Sequence, residues 1–122
     1  MLTDNQINAA KAALSIPDAN HEHNDCIRIA YEWLDAQVKT KGSREVANPL
    51  KHLIENWAGR YVSANDVQVA ASLHPRIIGV YPRFNISSRL TDPSIRRLQG
   101  IGQANTQGQR ENHDPAAYKR QE

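Results

Sequence analysis

The sequence predicts a mainly α-helical protein, a compact bundle of about five helices. A small β-hairpin around residues 77–87, as in a winged helix-turn-helix, is an optional addition to the bundle. Three observations predict this fold. The 122 residues have the length of one domain. Two segments begin with the spacing of a capping box. Four segments repeat their apolar residues at helical spacing.

The first two helices are predicted in the N-terminal third of the chain. Thr3 and Gln6 have capping-box spacing, and Pro17 ends the helix that follows them. The second helix is the longest, because it begins between residues 20 and 25 and ends near Gly42. Its apolar stripe consists of Ile27, Ala30, Tyr31, Leu34 and Val38.

The third and fourth helices lie in the middle of the chain. The third covers about residues 49–58 and has Asn48 as its cap, unless it starts earlier, at Ser43, and bends at the proline. The fourth has the clearest start signal, because Ser63 and Asp66 repeat the capping-box spacing.

The next segment carries signals for both strand and helix. Alternation of apolar and polar residues over 84–90 favours a hairpin with Pro82 near its bend, although the same residues suit a helical turn. Asp92 and Pro93 then begin the last helix.

The apolar pattern fails after residue 102. Residues 1–102 are therefore predicted to form a single helical domain, and residues 103–122 a tail that is flexible or ordered by a partner. Tyr118 is the one large apolar side chain of this tail, so it is the expected anchor of a docked tail.

Positive charge is concentrated in residues 76–97, which we call the arginine segment. Its net charge is +4, whereas residues 1–75 carry −2 and residues 98–122 are neutral. A local excess of positive charge indicates which partners a protein can bind, and it does not determine the fold. The five cations of the segment are Arg76, Arg83, Arg89, Arg96 and Arg97.

The arginine segment predicts a small, non-catalytic nucleic-acid-binding or regulatory protein. Its arginines can donate to phosphate oxygens, and Asn85 and Ser87 are predicted to lie near bases. Tyr81 and Phe84, which stand beside arginines, are predicted interaction residues. Two short capped helices before this segment would fit a helix-turn-helix with a β-wing.

Two alternatives use the same arginines differently. In the first, the chain is a protein-interaction component of a larger assembly, such as an accessory or structural protein of a phage or mobile element. The arginines would then face an acidic protein surface, and the tail would order on docking. In the second, the arginines pair with carboxylates of the acidic first half of this chain.

The remaining motifs support neither a metal site nor catalysis. His21, His23 and Cys26 do not complete the ligand spacing of a zinc site, so no metal or other cofactor is expected. Nucleophile-elbow, phosphate-loop and zinc-protease motifs are absent from the sequence, which predicts that the chain is not an enzyme. No apolar run reaches the ~18 residues of a membrane span. A cytoplasmic protein is expected, since the N-terminus does not resemble a signal peptide and there is one cysteine. The oligomeric state is not predicted.

Overall fold

A computed structural model describes residues 1–45 and 49–122. Four α-helices lie in this part of the chain: α1 is Asp4–Leu14, α2 is Asn24–Asp35, α3 is Leu50–Ala58 and α4 is Ala64–Leu73. The strands are β1, Lys39–Glu45; β2, Gly79–Val80; β3, Arg83–Ile86; β4, Thr91–Asp92; and β5, Arg120–Gln121. Short 3-10 helices cover Ile95–Leu98, Gly108–Asn112 and Pro115–Ala117.

The strands form two separate sheets. The larger sheet is antiparallel and has the strand order β1-β3-β2. Lys39 of β1 lies opposite Ile86 of β3, and the register shifts between Lys39 and Arg44. β2 and β3 form a hairpin in which Val80 lies opposite Arg83. The smaller sheet is the parallel pair of β4 and β5.

The predicted five-helix bundle is wrong, because the fold is mixed α/β. The second helix was predicted to continue to Gly42, but α2 ends at Asp35 and residues 39–42 belong to β1. Gln37 fixes this end, since its side chain exchanges hydrogen bonds with the backbone of Thr91 at 2.9 and 3.0 Å. Helical periodicity cannot report such a partner, or the pairing of β1 with β3, because both lie far along the chain.

The predicted fifth helix is also wrong. Its first residues form β4, and only the single 3-10 turn Ile95–Leu98 follows. The backbone of β4 pairs with β5 near the end of the described chain, so these residues obtain hydrogen bonds without becoming helical.

The helix starts that depend on local chemistry are confirmed. Both bonds of the capping box are present at Thr3 with Gln6, and again at Ser63 with Asp66. The predicted cap Asn48 lies outside the described residues, and Pro49 occupies the N-cap position of α3.

The core lies where α2 packs against α4 and α3, and the buried side chains of Phe84 and Ile86 in β3 belong to it. Its largest fully buried side chains are Trp33, Trp57 and Phe84. Among the helices that the structure describes, none is long and apolar enough to cross a membrane.

Residues 103–122 pack against the helices. The backbone N–H of Asn105 donates to the carbonyl of Ala58 at 2.7 Å, and that of Gln107 donates to Gly59 at 3.0 Å. Arg110 donates from its guanidinium to the carbonyl of Trp57 at 2.7 Å. These donors bond to carbonyl groups at the C-terminal end of α3. Such carbonyls have no partner within the helix, because the next helical turn is missing. The segment predicted as a tail therefore has a binding site within its own chain.

Candidate nucleic-acid interface

Four of the five arginines of the arginine segment lie on the surface. Arg83, Arg89 and Arg96 are exposed. The side chain of Arg76 is 66% exposed, and its guanidinium lies 3.9 Å from a carboxylate oxygen of Asp35. These four residues are placed where a polyanion could reach them.

Arg97 has a structural role instead. One of its nitrogens bonds to both Glu32 and Asp35 of α2 at 3.0 Å, and its Nε donates to Glu122 at 2.6 Å. The bond to Glu122 is the largest of the effects that raise the pKa of Arg97 above its usual value. Its charge is balanced within the chain, as the second alternative interpretation expected for the whole segment.

Asn85 is buried and its side-chain amide is fully used. Its oxygen accepts from the N–H of Ile78 at 2.7 Å, while its NH₂ donates to the carbonyls of Arg76 at 2.9 Å and Thr40 at 3.3 Å. The amide thereby joins the segment before β2 to β1 across β3. Ser87 is half-buried, and its hydroxyl accepts from the backbone N–H of Arg89. The Asn85 amide is therefore not presented as a free base-reading group, whereas the Ser87 hydroxyl keeps its O–H donor.

The aromatic residues predicted as interaction residues are mostly internal. Phe84 is fully buried, and Tyr118 is 6% exposed. The Tyr118 hydroxyl accepts a hydrogen bond from Nε1 of Trp33 at 3.1 Å. Tyr81 is half-buried: its N–H donates to Gln68 at 2.6 Å, and its hydroxyl accepts from the N–H of Lys51 at 3.3 Å. Tyr81 thus fixes the hairpin turn to α3 and α4.

The pairing of β4 with β5 adds cations that sequence reasoning missed. The N–H groups of Lys119 and Arg120 both donate to the carbonyl of Leu90, and the Arg120 guanidinium donates to the carbonyl of Arg89 at 2.6 Å. We use the name basic surface for Arg89, Lys119 and Arg120, which these bonds join, together with the exposed Arg96. The sequence does show these cations as the adjacent pair Lys119-Arg120. They were overlooked because the net charge of residues 98–122 as a whole is zero.

The basic surface keeps its charge because the nearby carboxylates are engaged elsewhere. The side chains of Arg89, Arg96 and Lys119 make no hydrogen bond or ion pair with any described residue. Glu122 is held by Arg97, and its hydrogen bond lowers the pKa of that carboxyl group. Asp92 lies 3.1 Å from His113. Three exposed cations therefore remain without a partner in residues 1–45 and 49–122.

The helix pair α3 and α4 is followed by the β2–β3 hairpin, which is the order of elements in a winged helix-turn-helix. In such motifs the second helix contacts the major groove. Here α4 contains no Lys or Arg, and its partly exposed polar residues are Asn65, Gln68 and Ser72. A phosphate-binding role is thus better supported for the basic surface than for α4.

The three side chains considered as metal ligands each have a hydrogen-bond partner in the fold. His21 bonds through Nδ1 to Asp66 at 2.9 Å, and His23 accepts from the N–H of Asp25. Cys26 is buried, and desolvation raises the pKa of its thiol to about 12. No cluster of three His, Cys, Asp or Glu side chains suited to a metal ion is found in residues 1–45 and 49–122.

Comparisons of the chain with protein-family models, with curated proteins and with solved structures give no match. Function must therefore be inferred from the residues of this chain. Among the described residues, the basic surface contains three exposed cations, Arg89, Arg96 and Lys119, whose side chains have no internal partner.

Proposed function

We propose that the chain is a non-catalytic nucleic-acid-binding protein that holds phosphate groups on the basic surface. The observation that carries this proposal is the joining of Arg89 to Lys119 and Arg120 through the backbone of Leu90. Cations held close together repel each other, and a polyanion removes that repulsion while releasing its own counterions. Arginine also suits phosphate because its planar fork donates two parallel hydrogen bonds.

The proposed contacts are to the phosphate backbone rather than to bases. Asn85, the residue predicted to lie near bases, has its amide committed to backbone partners. Arg76 and Arg83 are exposed and add to the positive field of the arginine segment. Phosphate contacts position a protein on nucleic acid without reading its sequence, so binding with little sequence preference is expected.

The dependence of affinity on salt tests this proposal. Each phosphate that is neutralised contributes about 0.9 to the slope of log affinity against log salt concentration on duplex DNA. We expect the variant Arg89→Ala/Arg96→Ala to lower that slope by about two. The measurement is fluorescence anisotropy of a labelled 20-base-pair duplex between about 50 and 200 mM salt, repeated with single-stranded RNA.

Two control variants isolate the effect of charge at this surface. Arg89→Lys/Arg96→Lys keeps both charges, so the slope should stay close to that of the unmodified chain. Lys11→Ala removes a cation of α1 whose ammonium bonds to Asn24, and it should also leave the slope unchanged. No binding at about 50 mM salt, or an equal slope in the double alanine variant, would contradict the proposal.

A further inference from the structure

Two of the segments that supply the basic surface meet at the side chain of Glu122. Arg96 lies on the 3-10 helix Ile95–Leu98, whereas Arg120 lies on β5 and Lys119 directly before it. These segments are far apart along the chain, so only contacts made by the folded chain can bring their cations together.

Glu122 makes hydrogen bonds on both sides of Arg96. Its Oε1 accepts from the backbone N–H of Ser94 at 2.8 Å and from Nε of Arg97 at 2.6 Å. Its other carboxylate oxygen accepts from a second nitrogen of the same guanidinium, which makes the pair bidentate. The carboxylate therefore joins β5 to the segment that carries Arg96.

Arg97 ties this carboxylate to α2. Its third nitrogen donates to Glu32 and to Asp35, both at 3.0 Å. The side chain of Arg97 is 21% exposed and that of Glu122 is 30% exposed, so solvent and salt screen this pair less than they screen a pair on the open surface. We call Arg97 and Glu122 the clamp.

The pairing of β5 with β4 is short. It covers two residues of each strand, and a two-stranded sheet is at best marginally stable by itself in water. Before the strand, the buried ring of Tyr118 packs in the core. After it, the clamp supplies the second fixed point. Lys119 and Arg120 lie between these two anchors, so their positions depend on both.

We infer that Glu122 and Arg97 are positioning residues for nucleic-acid binding, although neither contributes a free positive charge. This inference rests on the proposed function of the basic surface. The clamp holds Arg96, Lys119 and Arg120 in one arrangement before a nucleic acid arrives. Binding then orders fewer groups, and an interface that is already arranged binds more tightly for the same contacts.

Electrostatics alone predicts the opposite effect for a change at Glu122. Removing a carboxylate near the basic surface makes the local field more positive, which favours a polyanion. Loss of positioning disfavours it. The two effects separate at about 150 mM salt, because interactions between exposed charges more than ~8 Å apart are then largely screened.

Two variants of equal charge test the inference. Glu122→Ala removes the carboxylate and all its hydrogen bonds, whereas Glu122→Gln removes the same charge and keeps an amide oxygen that can accept from Ser94 and Arg97. Affinity for the labelled duplex is measured by fluorescence anisotropy at about 150 mM salt. Glu122→Ala should bind about fivefold or more weakly than the unmodified chain, because binding must then order two long side chains. Glu122→Gln should lie between the two.

Asp18→Asn is the matched control for charge. It changes the net charge by the same amount at an exposed position whose φ is 52°, a conformation that Asn also adopts. This variant should not weaken binding.

Amide hydrogen exchange of the chain without nucleic acid provides a second measurement. The N–H groups of Lys119 and Arg120 bond to the carbonyl of Leu90. They should exchange at least about tenfold faster in Glu122→Ala, because the strand opens locally more often. The amide of Ala30 in the middle of α2 should keep its protection.

Two results would overturn the inference and leave the proposed function in place. They are equal or stronger binding by Glu122→Ala, as electrostatics alone predicts, and unchanged exchange at Lys119 and Arg120. Absence of DNA binding by the unmodified chain would instead refute the proposed function, and the positioning role with it. If Glu122→Ala does not fold by circular dichroism, Arg97→Lys keeps every charge without the planar fork. It should also weaken binding, and equal affinity would overturn the inference.

Discussion

Replacement of Tyr118 tests whether the C-terminal segment belongs to the core. The side chain is 6% exposed, and its ring lies 6.5 Å from that of Trp33 and 5.7 Å from that of His113. Its hydroxyl accepts the Trp33 indole N–H, across 85 positions of sequence. Two replacements separate the ring from the hydroxyl: Tyr118→Ala removes both, whereas Tyr118→Phe removes only the acceptor.

The expected losses follow from burial and from the unpaired donor. Removing a buried aromatic ring costs about 3–5 kcal/mol of unfolding free energy, as for Phe→Ala in other cores. Removing the hydroxyl leaves the buried N–H of Trp33 without its partner, at a cost of about 1–3 kcal/mol. Total stability of a domain is about 5–15 kcal/mol, so the alanine variant should lose a large fraction of it.

Urea unfolding followed by tryptophan fluorescence measures both losses, since Trp33 itself contacts Tyr118. Tyr61→Phe is the control, because Tyr61 is half-buried and its hydroxyl makes no hydrogen bond with the described residues. It should change stability by less than about 0.5 kcal/mol. A Tyr118→Ala variant within that margin of the unmodified chain would show that the segment is not packed in solution, as its composition predicts.

Four further predictions concern single sites. Gly79 has φ 108°, and a Cβ there would collide with the carbonyl oxygen of Arg83; Gly79→Ala should therefore cost about 2 kcal/mol or more in urea unfolding, whereas Gly108→Ala, with open space around it, should not. Cys26 should react with a thiol reagent such as DTNB only after unfolding, because it is buried and its pKa is raised to about 12 by desolvation; rapid modification of the folded chain would refute this. The hydrogen bond from Arg97 holds the pKa of Glu122 below 4.5, so its contribution to stability is complete above that value and is lost as the pH falls through the lower folded-state pKa; the fall in unfolding free energy between pH 7 and pH 3 should be smaller in Glu122→Gln. A chelator such as EDTA should leave the melting temperature unchanged, and a large decrease would reveal a metal site.

Helix starts could be predicted from sequence because their causes are local. Thr3 reaches Gln6, and Ser63 reaches Asp66, within a single turn. The apolar stripe of α2 was likewise readable as far as Leu34, which is buried. After Leu34 the prediction from the stripe was wrong. Val38 has the helical spacing, but it lies exposed just before β1.

The candidate site could be predicted only in part for the same reason. Sequence revealed the charge of the arginine segment, and four of its arginines are exposed. It could not show that Arg97 is neutralised by Glu32, Asp35 and Glu122, since these partners lie 25 to 65 positions away along the chain.

The sequence by itself thus determined the helix boundaries that capping sets, the apolar faces and the sign of the surface charge, all properties of neighbouring residues. Tertiary structure alone decided that residues 39–45 are a strand, that Asn85 is a buried link and that Lys119 and Arg120 join Arg89. Backbone groups form whichever hydrogen bonds the whole fold permits. A strand partner or a salt bridge from a distant segment can therefore outweigh a local preference worth less than about 1 kcal/mol per residue.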